Sequence, residues 1–299
     1  MQLTLIGAGL IGGSAAWAMK KAGIVDRVHV YDLSRASAER ACAMGIADAA
    51  FETPELALEG AGCVMSAVPV LAMPEVFAAI RRAAPENAYI TDVGSVRSAV
   101  IDAAREALGE RFSYYAPVHP IAGGEMPGIE YARSDLFVGA RAISTPVDGM
   151  KKKAVDFWEQ AWKASGSVVV RMTPAEHDEI FASVSHLPHV LSYAMVDSIL
   201  QTGCADKKLA FAGAGFRDFT RIAASSPRMW TDICLANRDA ILEAMRAFEK
   251  DLAHFRGLIE SRDAEGLMEV FGRASQARRG LFPSAGALQG RAAEEKKNA

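Results

Sequence analysis

Gly7-Ala8-Gly9-Leu10-Ile11-Gly12 offers the first chemistry legible in this chain, a backbone cradle for phosphate. A G-x-G-x-x-G alone says little, but here the apolar run Leu3-Thr4-Leu5-Ile6 precedes it and a helix-like stretch from Gly13 to Met19 follows. In that setting Gly7 permits a tight turn, Gly9 lets a pyrophosphate approach the backbone, and Gly12 lets the helix pack close to the strand. The helix N-terminus adds free N–H groups and a positive dipole end. Leu10 and Ile11 complete the turn. A second strand, Val28-His29-Val30-Tyr31, ends at Asp32, whose carboxylate suits the ribose hydroxyls of an adenosine. Arg35, three residues on, could instead offer a partner to a 2′-phosphate. Val68 and Pro69, closing another apolar run, belong to the same expected cofactor surface. The expectation is NAD, with NADP possible. A glycine-rich turn that binds nothing is the alternative.

Four further clusters carry side-chain chemistry. His119-Pro120-Ile121-Ala122-Gly123-Gly124-Glu125 sits at a strand end, where open α/β sheets bind ligands. A histidine there can take a proton from a hydroxyl near neutral pH, or can simply bond the turn's backbone. Asp92-Val93-Gly94-Ser95-Val96-Arg97 is a second strand-end turn. Its Ser95 could bond a nicotinamide or a substrate hydroxyl, or cap the next helix. In Ser185-His186-Leu187-Pro188-His189 the proline removes an N–H, so the helix should bend there. The two histidines could face a ligand or be helix-packing residues; without an H-E-x-x-H or a cysteine pattern no metal is expected. Around Gly213-Ala214-Gly215-Phe216-Arg217-Asp218-Phe219-Thr220-Arg221, an arginine could grip a carboxylate bidentately, or Asp218 and Arg221 could pair locally.

Elements of two kinds must position these groups. Strand-like and helical stretches alternate through the first half: strands at 63–68, 88–93, 114–119, 140–144 and 167–171, with helices over 37–44, about 74–84, and one showing Val155, Trp158 and Trp162 on one face. That alternation implies a Rossmann-type α/β fold, a mostly parallel sheet with helices on both faces. The pattern changes at Thr173-Pro174-Ala175-Glu176, a capping box with proline at the first helical position. Beyond it the signals are helical, including the stripe Phe248, Leu252, Phe255 and Ile259. The reading is a dinucleotide-binding domain over 1–172 and a helical substrate and dimerisation domain over 173–299, its tail from Gly286 frayed.

Composition narrows the class. The chain has 299 residues, 51% hydrophobic and 23% charged, with a net charge of −3. That is a globular composition with no case for nucleic acid or an acidic membrane surface as partner. No apolar run is long enough to span a bilayer. A strand starting at Leu3 leaves no room for a signal peptide. Cys42, Cys63, Cys204 and Cys234 are scattered, as reduced thiols in a cytoplasmic protein would be.

Taken together, Gly-Leu-Ile-Gly-Gly-Ser, Val-Gly-Ser-Val, His-Pro-Ile-Ala-Gly, Ser-His-Leu-Pro-His and Phe-Arg-Asp-Phe-Thr-Arg-Ile-Ala resemble the prephenate/arogenate (cyclohexadienyl) dehydrogenases of tyrosine biosynthesis. The resemblance runs in order from Gly7 to about Phe255. It implies that His119 is the base at the substrate ring hydroxyl, with Ser95 beside it at the nicotinamide. It implies that Arg221 binds a substrate carboxylate and that His189 is a further active-site residue. Glu125, Asp218 and Trp230 fall at positions associated with the site entrance. It also implies a homodimer through the helical domain. Gly124 departs from the pattern, since many members carry threonine there. The expected reaction is oxidative decarboxylation of a small-molecule substrate, prephenate or arogenate, with hydride transfer to NAD(P)+. Two other readings compete: a β-hydroxyacid or 6-phosphogluconate-type dehydrogenase, which would want a lysine early in the helical half, and a non-catalytic NAD(P)-binding redox sensor. The absence of a lysine between Thr173 and Lys207 speaks against the first, and the joint presence of His119 and Arg221 against the second.

Overall fold

The computed structural model describes residues 1–124 and 126–281. Strand and helix alternate as β1 (Gln2–Ile6), α1 (Leu10–Lys21), β2 (Arg27–Tyr31), α2 (Arg35–Ala43), β3 (Ala49–Ala50), α3 (Pro54–Leu58), β4 (Cys63–Ser66), α4 (Met73–Ala83), β5 (Tyr89–Asp92) and α5 (Ser98–Leu108). These strands form one parallel sheet of order β3-β2-β1-β4-β5, the crossover arrangement of a Rossmann-type domain. Then follow β6 (Val118–Ile121), β7 (Arg141–Ser144), α6 (Lys152–Ala164) and β8 (Val168–Arg171). They make a second sheet of order β6-β7-β8, tied to β5 through a bridge between Ile90 and Tyr115.

Alternation along each strand loads both faces. Leu3, Leu5, Cys63 and Met65 point into a core with α1, α2 and α6, where Trp158 and Trp162 are fully buried. Ile6, Val64 and Ile90 point the other way, against Phe77 and Ile80 of α4 and Val100 and Ala104 of α5. A sheet buried on both faces needs this near-continuous apolar content.

One expected strand shifts. Tyr114 closes a 3-10 turn (Gly109–Tyr114), so the strand expected at 114–119 begins only at Val118. β6 also runs antiparallel to β7, the one departure from parallel pairing among the described strands.

After β8 the described chain is helical: α7 (Pro174–Phe181), α8 (Leu187–Leu200), α9 (Ala205–Ala210), α10 (Ala214–Thr220), α11 (Pro227–Ala236), α12 (Arg238–Glu260) and α13 (Ala264–Leu281). The Thr173 capping box is formed, its side chain accepting from Glu176 N–H while Glu176 reaches back. Ser226 caps α11 with its side chain alone, accepting from Met229 N–H. The bend expected at Pro188 takes a specific form: a single π turn over Ala182–His186 joins α7 to α8. Pro188 has no N–H for the carbonyl four residues back, and the wider turn re-aims the residues around it.

Compactness divides the chain into Met1–Leu242 and Glu243–Ala299. In the second unit the stripe read from the sequence remains largely uncovered: Phe248 is 38% exposed, Leu252 57% and Ile259 63%. Phe255 stacks on Phe271 of α13, which is itself 57% exposed. The tail from Gly286 lies outside the described residues.

Candidate active site

The glycine turn has the shape its sequence requires. Gly7 adopts φ +103°, and its N–H donates to Tyr31 O at 2.9 Å, locking the turn to β2. A Cβ on Gly12 would stand 2.4 Å from Gly7 O and 2.7 Å from Ala67 Cβ, so the helix start can approach only without a side chain. Gly9, at the N-cap of α1, is different: a Cβ there would meet nothing within 4 Å. Its small size leaves room for a ligand rather than for a protein neighbour, and this is the fit that a pyrophosphate on the helix N-terminus needs. Leu10 and Ile11 open α1 and pack partly into the core beneath. Val68 follows β4 beside Gly7, and Pro69 starts a short 3-10 turn (Val70–Ala72).

Asp32 ties this turn together. Its Oδ2 accepts from Ala8 N–H and its Oδ1 from Ser34 N–H, each at 2.7 Å. Each oxygen keeps lone-pair capacity for a ribose hydroxyl. Arg35 lies between two carboxylates, with Nε on Glu39 at 2.8 Å and Nη1 on Glu52 at 2.5 Å. Those hydrogen bonds raise its pKa further and match its charge locally.

The loop after β5 is built on a buried ion pair. Arg97 and Asp92 are both fully buried, with Nη2–Oδ1 at 2.6 Å and Nη1–Oδ2 at 3.1 Å. Arg97 Nη2 also donates to Gly94 O at 2.6 Å, and Tyr115 donates its hydroxyl to Asp92. The loop carrying Ser95 is therefore fixed from within. Ser95 does not cap α5, contrary to that alternative from the sequence. The first N–H groups of the helix are capped from a distance by Asp178 on α7, whose Oδ1 accepts from Arg97 N–H and Oδ2 from Ser98 N–H, each at 2.8 Å. The macrodipole of α5 favours the same carboxylate.

Asp178 heads a chain of imidazoles. His177 Nδ1 lies 2.9 Å from Asp178 Oδ1, and His177 Nε2 lies 2.8 Å from His119 Nδ1. Phe181, one turn along α7, stacks on His177 at 4.4 Å between centroids and stands 5.0 Å from His119. His119 is half-buried on β6, and its pKa is pushed well below the usual imidazole range. Burial is the first cause, followed by His177, Arg97 and His186, all of which disfavour added positive charge. His177 is lowered as well, chiefly by burial, with Asp178 opposing. Burial acts to raise Asp178, but hydrogen bonds from His177, Arg97 and Ser98 outweigh it and hold the carboxylate ionised.

A second arm comes from the π turn. His186 is buried, and burial above all takes its pKa down to about 4. Asn237 at the end of α11 lies 3.0 Å from His186 Nδ1 and donates to Asp178 O at 2.9 Å. His186 also hydrogen-bonds the backbone of Ser95. His189 directs Nδ1 to Ser185 O at 2.9 Å and stacks on Trp230 at 3.6 Å. Its pKa is lowered by burial, against the Ser185 bond, and then by the charge of Arg221. Arg221 opens a 3-10 turn (Arg221–Ala224) directly after α10.

The structure thus brings His119, Ser95, His189 and Arg221 into one neighbourhood. Gly124 lies against the cofactor turn, since a Cβ there would stand 3.2 Å from Leu10 Cδ2. Glu125 lies outside the described residues. Trp230, associated with an entrance by resemblance, is buried as the stacking platform of His189. Sequence reading passed over His177, Asp178 and Asn237. A signal existed for the first two: His177-Asp178 follows the capping box at once and starts a series of three of the chain's six histidines. Among the described residues no group of histidine, cysteine, aspartate or glutamate is arranged to hold a metal ion.

Comparison with known proteins bears on what this site does. A family model described as "Prephenate dehydrogenase, nucleotide-binding domain" matches residues 15–171, and one described as "Prephenate dehydrogenase, dimerization domain" matches residues 173–273. The chain is 35% identical to the prephenate dehydrogenase of Bacillus subtilis over 93% of its own length and 76% of that protein's. It is 34% identical to the cyclohexadienyl dehydrogenase of Zymomonas mobilis, covering 93% of this chain and 95% of that one. A solved structure of the A. aeolicus prephenate dehydrogenase, in complex with hydroxyphenyl propionate and NAD+, superimposes with a TM-score of 0.88 at 33% identity. That match covers 94% of this chain and 98% of the other.

Proposed function

The chain belongs to the prephenate dehydrogenase family, and from that premise we propose that it oxidises and decarboxylates prephenate, or arogenate, at the site around His119. The enzyme is an NAD-dependent oxidoreductase. The observation that carries the substrate reading is the His119–His177 contact at 2.8 Å, which holds an uncharged imidazole at the substrate end of the sheet.

Gly7, Gly9 and Gly12 would hold the pyrophosphate of NAD+ and Asp32 its ribose, and the bound nicotinamide would supply the hydride acceptor. His119 accepts the proton of the ring hydroxyl, so that the carbon–oxygen bond can become a carbonyl. Ser95, on its pinned loop, orients the same hydroxyl. Arg221 holds a side-chain carboxylate, and His189 is fixed beside it by Trp230 and Ser185. Loss of the ring carboxylate as CO2 leaves an aromatic phenolate, and the proton held on His119 returns to that oxygen to give the phenol. That gain makes the reaction effectively irreversible, so the protein's task is to orient groups and to accept one proton.

Asp32 and the matched Arg35 favour NAD over NADP, since a 2′-phosphate would meet a carboxylate and no uncommitted cation at Arg35. The organisation proposed is a dinucleotide-binding domain over 1–172 and a helical part over 173–299 that pairs with a second copy. The exposed stripe at Leu252 and Ile259 supports the pairing, and a stable, fully active monomer in light scattering at assay concentration would refute it.

Initial rates with prephenate and arogenate, each with NAD+ and NADP+, test the function. Turnover of at least one cyclohexadiene, with CO2 release and the higher kcat/KM on NAD+, is the expected result. Tight NAD+ binding without turnover of either would leave a redox sensor as the better description.

A further inference from the structure

We propose that His177 and Asp178 are positioning residues for the reaction: they fix the tautomer of His119 and stabilise the charge it acquires. This rests on the reading of His119 as base.

Asp178 receives the N–H groups of Arg97 and Ser98 and faces His177 Nδ1. An ionised carboxylate only accepts, so the proton between Asp178 and His177 belongs to His177 Nδ1. A neutral His177 then has a bare Nε2. Its neighbour at 2.8 Å, His119 Nδ1, must therefore carry the hydrogen and donate. A neutral His119 with its proton on Nδ1 has its lone pair on Nε2. The chain thus leaves Nε2 as the basic nitrogen and denies that role to Nδ1. Without it a neutral imidazole would distribute its proton between the two nitrogens.

The same chain acts when the proton moves. The substrate O–H bond breaks, an N–H bond forms at His119 Nε2, and the ring becomes positive. Its Nδ1–H then donates more strongly to His177 Nε2, whose own Nδ1–H leans on the Asp178 carboxylate. The groups packed around the pair otherwise oppose a positive charge: Arg97 from the β5–α5 loop and His186 from the π turn. Asp178, with Asp92 beyond it, is the negative charge that offsets them. Phe181 covers the two imidazoles, which strengthens these interactions by keeping solvent away.

Asp178 is itself over-determined. It caps α5, and Asn237 holds its backbone carbonyl. Helix α7 thereby ties the proton site to the loop carrying Ser95, so base and nicotinamide-side residue share one anchor.

The test uses the full-length enzyme with prephenate and NAD+. His177→Phe keeps a planar ring but removes both nitrogens. It should lower kcat by about 10²-fold or more while KM and NAD+ affinity stay within about twofold, since the loss falls on a charge that develops only in the reaction. His177→Gln retains one acceptor and one donor and should recover part of that loss. The double variant His119→Asn/His177→Phe should be no slower than His119→Asn alone, because the relay acts only through His119. Circular dichroism and NAD+ binding establish that each variant is folded; if His177→Phe is not, the His177→Gln rate and the double variant His119→Asn/His177→Gln carry the comparison. Wild-type kcat in folded His177→Phe or His177→Gln, with His119→Asn inactive, overturns the relay and leaves the base standing. Further loss in the double variant assigns His177 a role independent of His119 and also overturns it. Near-normal turnover of His119→Asn overturns the underlying base assignment instead.

Discussion

The glycine turn is complete between Gly7 and Gly12, whereas the proton site draws on Arg97, His119, His177, Asp178, His186 and Asn237. The first works through backbone shape. A positive φ at Gly7 and the close approach at Gly12 are local needs, met by leaving side chains out. The second works through side-chain nitrogens whose proton positions are set by partners far away in sequence. A cradle for phosphate needs only N–H groups and space, which a strand–turn–helix supplies by itself. A base with one chosen lone pair needs a partner on its other nitrogen, and only tertiary packing brings one. The two regions should therefore fail differently when perturbed.

The largest contrast is expected at His119. His119→Asn should reduce kcat by about 10²–10⁴-fold, the usual contribution of a positioned general base, and leave the NAD+ dissociation constant unchanged. Isothermal titration beside steady-state rates measures both. A parallel loss of NAD+ affinity would mean that the two regions are not separable.

Acid should find the histidine region before the glycine turn. His186 has a folded pKa of about 4, below its unfolded 6.5. Between those values the unfolded chain binds the extra proton, so stability is present above about pH 6.5 and is lost as pH falls toward 4. The loss from this residue alone reaches about 3 kcal/mol. Asp178, also held below its ordinary value, adds to it in the same direction as pH falls through its folded pKa. Urea unfolding at pH 7 and at pH 4.5 checks this, and equal stabilities would remove buried neutral histidines from the account.

Within the turn, two glycines separate folding from binding. Gly12→Ala places a methyl 2.4 Å from Gly7 O and should cost roughly 1–3 kcal/mol, seen as a lower Tm. Gly9→Ala meets no protein atom within 4 Å, so its Tm should hold while NAD+ affinity falls about tenfold, the scale of one charged hydrogen bond. If Gly9→Ala binds NAD+ normally, the pyrophosphate does not cross that residue.

The smallest effect concerns Arg35. Its charge is matched by Glu39 and Glu52 on an exposed surface, so Arg35→Ala should change the NADP+ to NAD+ preference by less than about twofold. A large drop in NADP+ use would show that Arg35 leaves its carboxylates for a phosphate.

Sequence by itself determined the Rossmann-type alternation, the glycine turn with Asp32, and the capping box at Thr173. It also nominated His119, Ser95, His189 and Arg221 for one site. All of these are written in short spacings, where turn sterics, helix capping and apolar period act within a few residues. It misjudged the start of β6, because Tyr114 looks strand-like while it still closes a 3-10 turn and Tyr115 makes only an isolated bridge to Ile90. It offered a nearby serine as one alternative for the cap of α5, and Asp178 holds that cap from 80 positions away. What only the tertiary structure decided is the protonation pattern. A histidine's useful nitrogen depends on what its other nitrogen touches, and for His119 that partner is His177, 58 residues along the chain on another element. No local spacing encodes such a contact. It exists because α7 packs against the β5–α5 loop and presents His177 and Asp178 together.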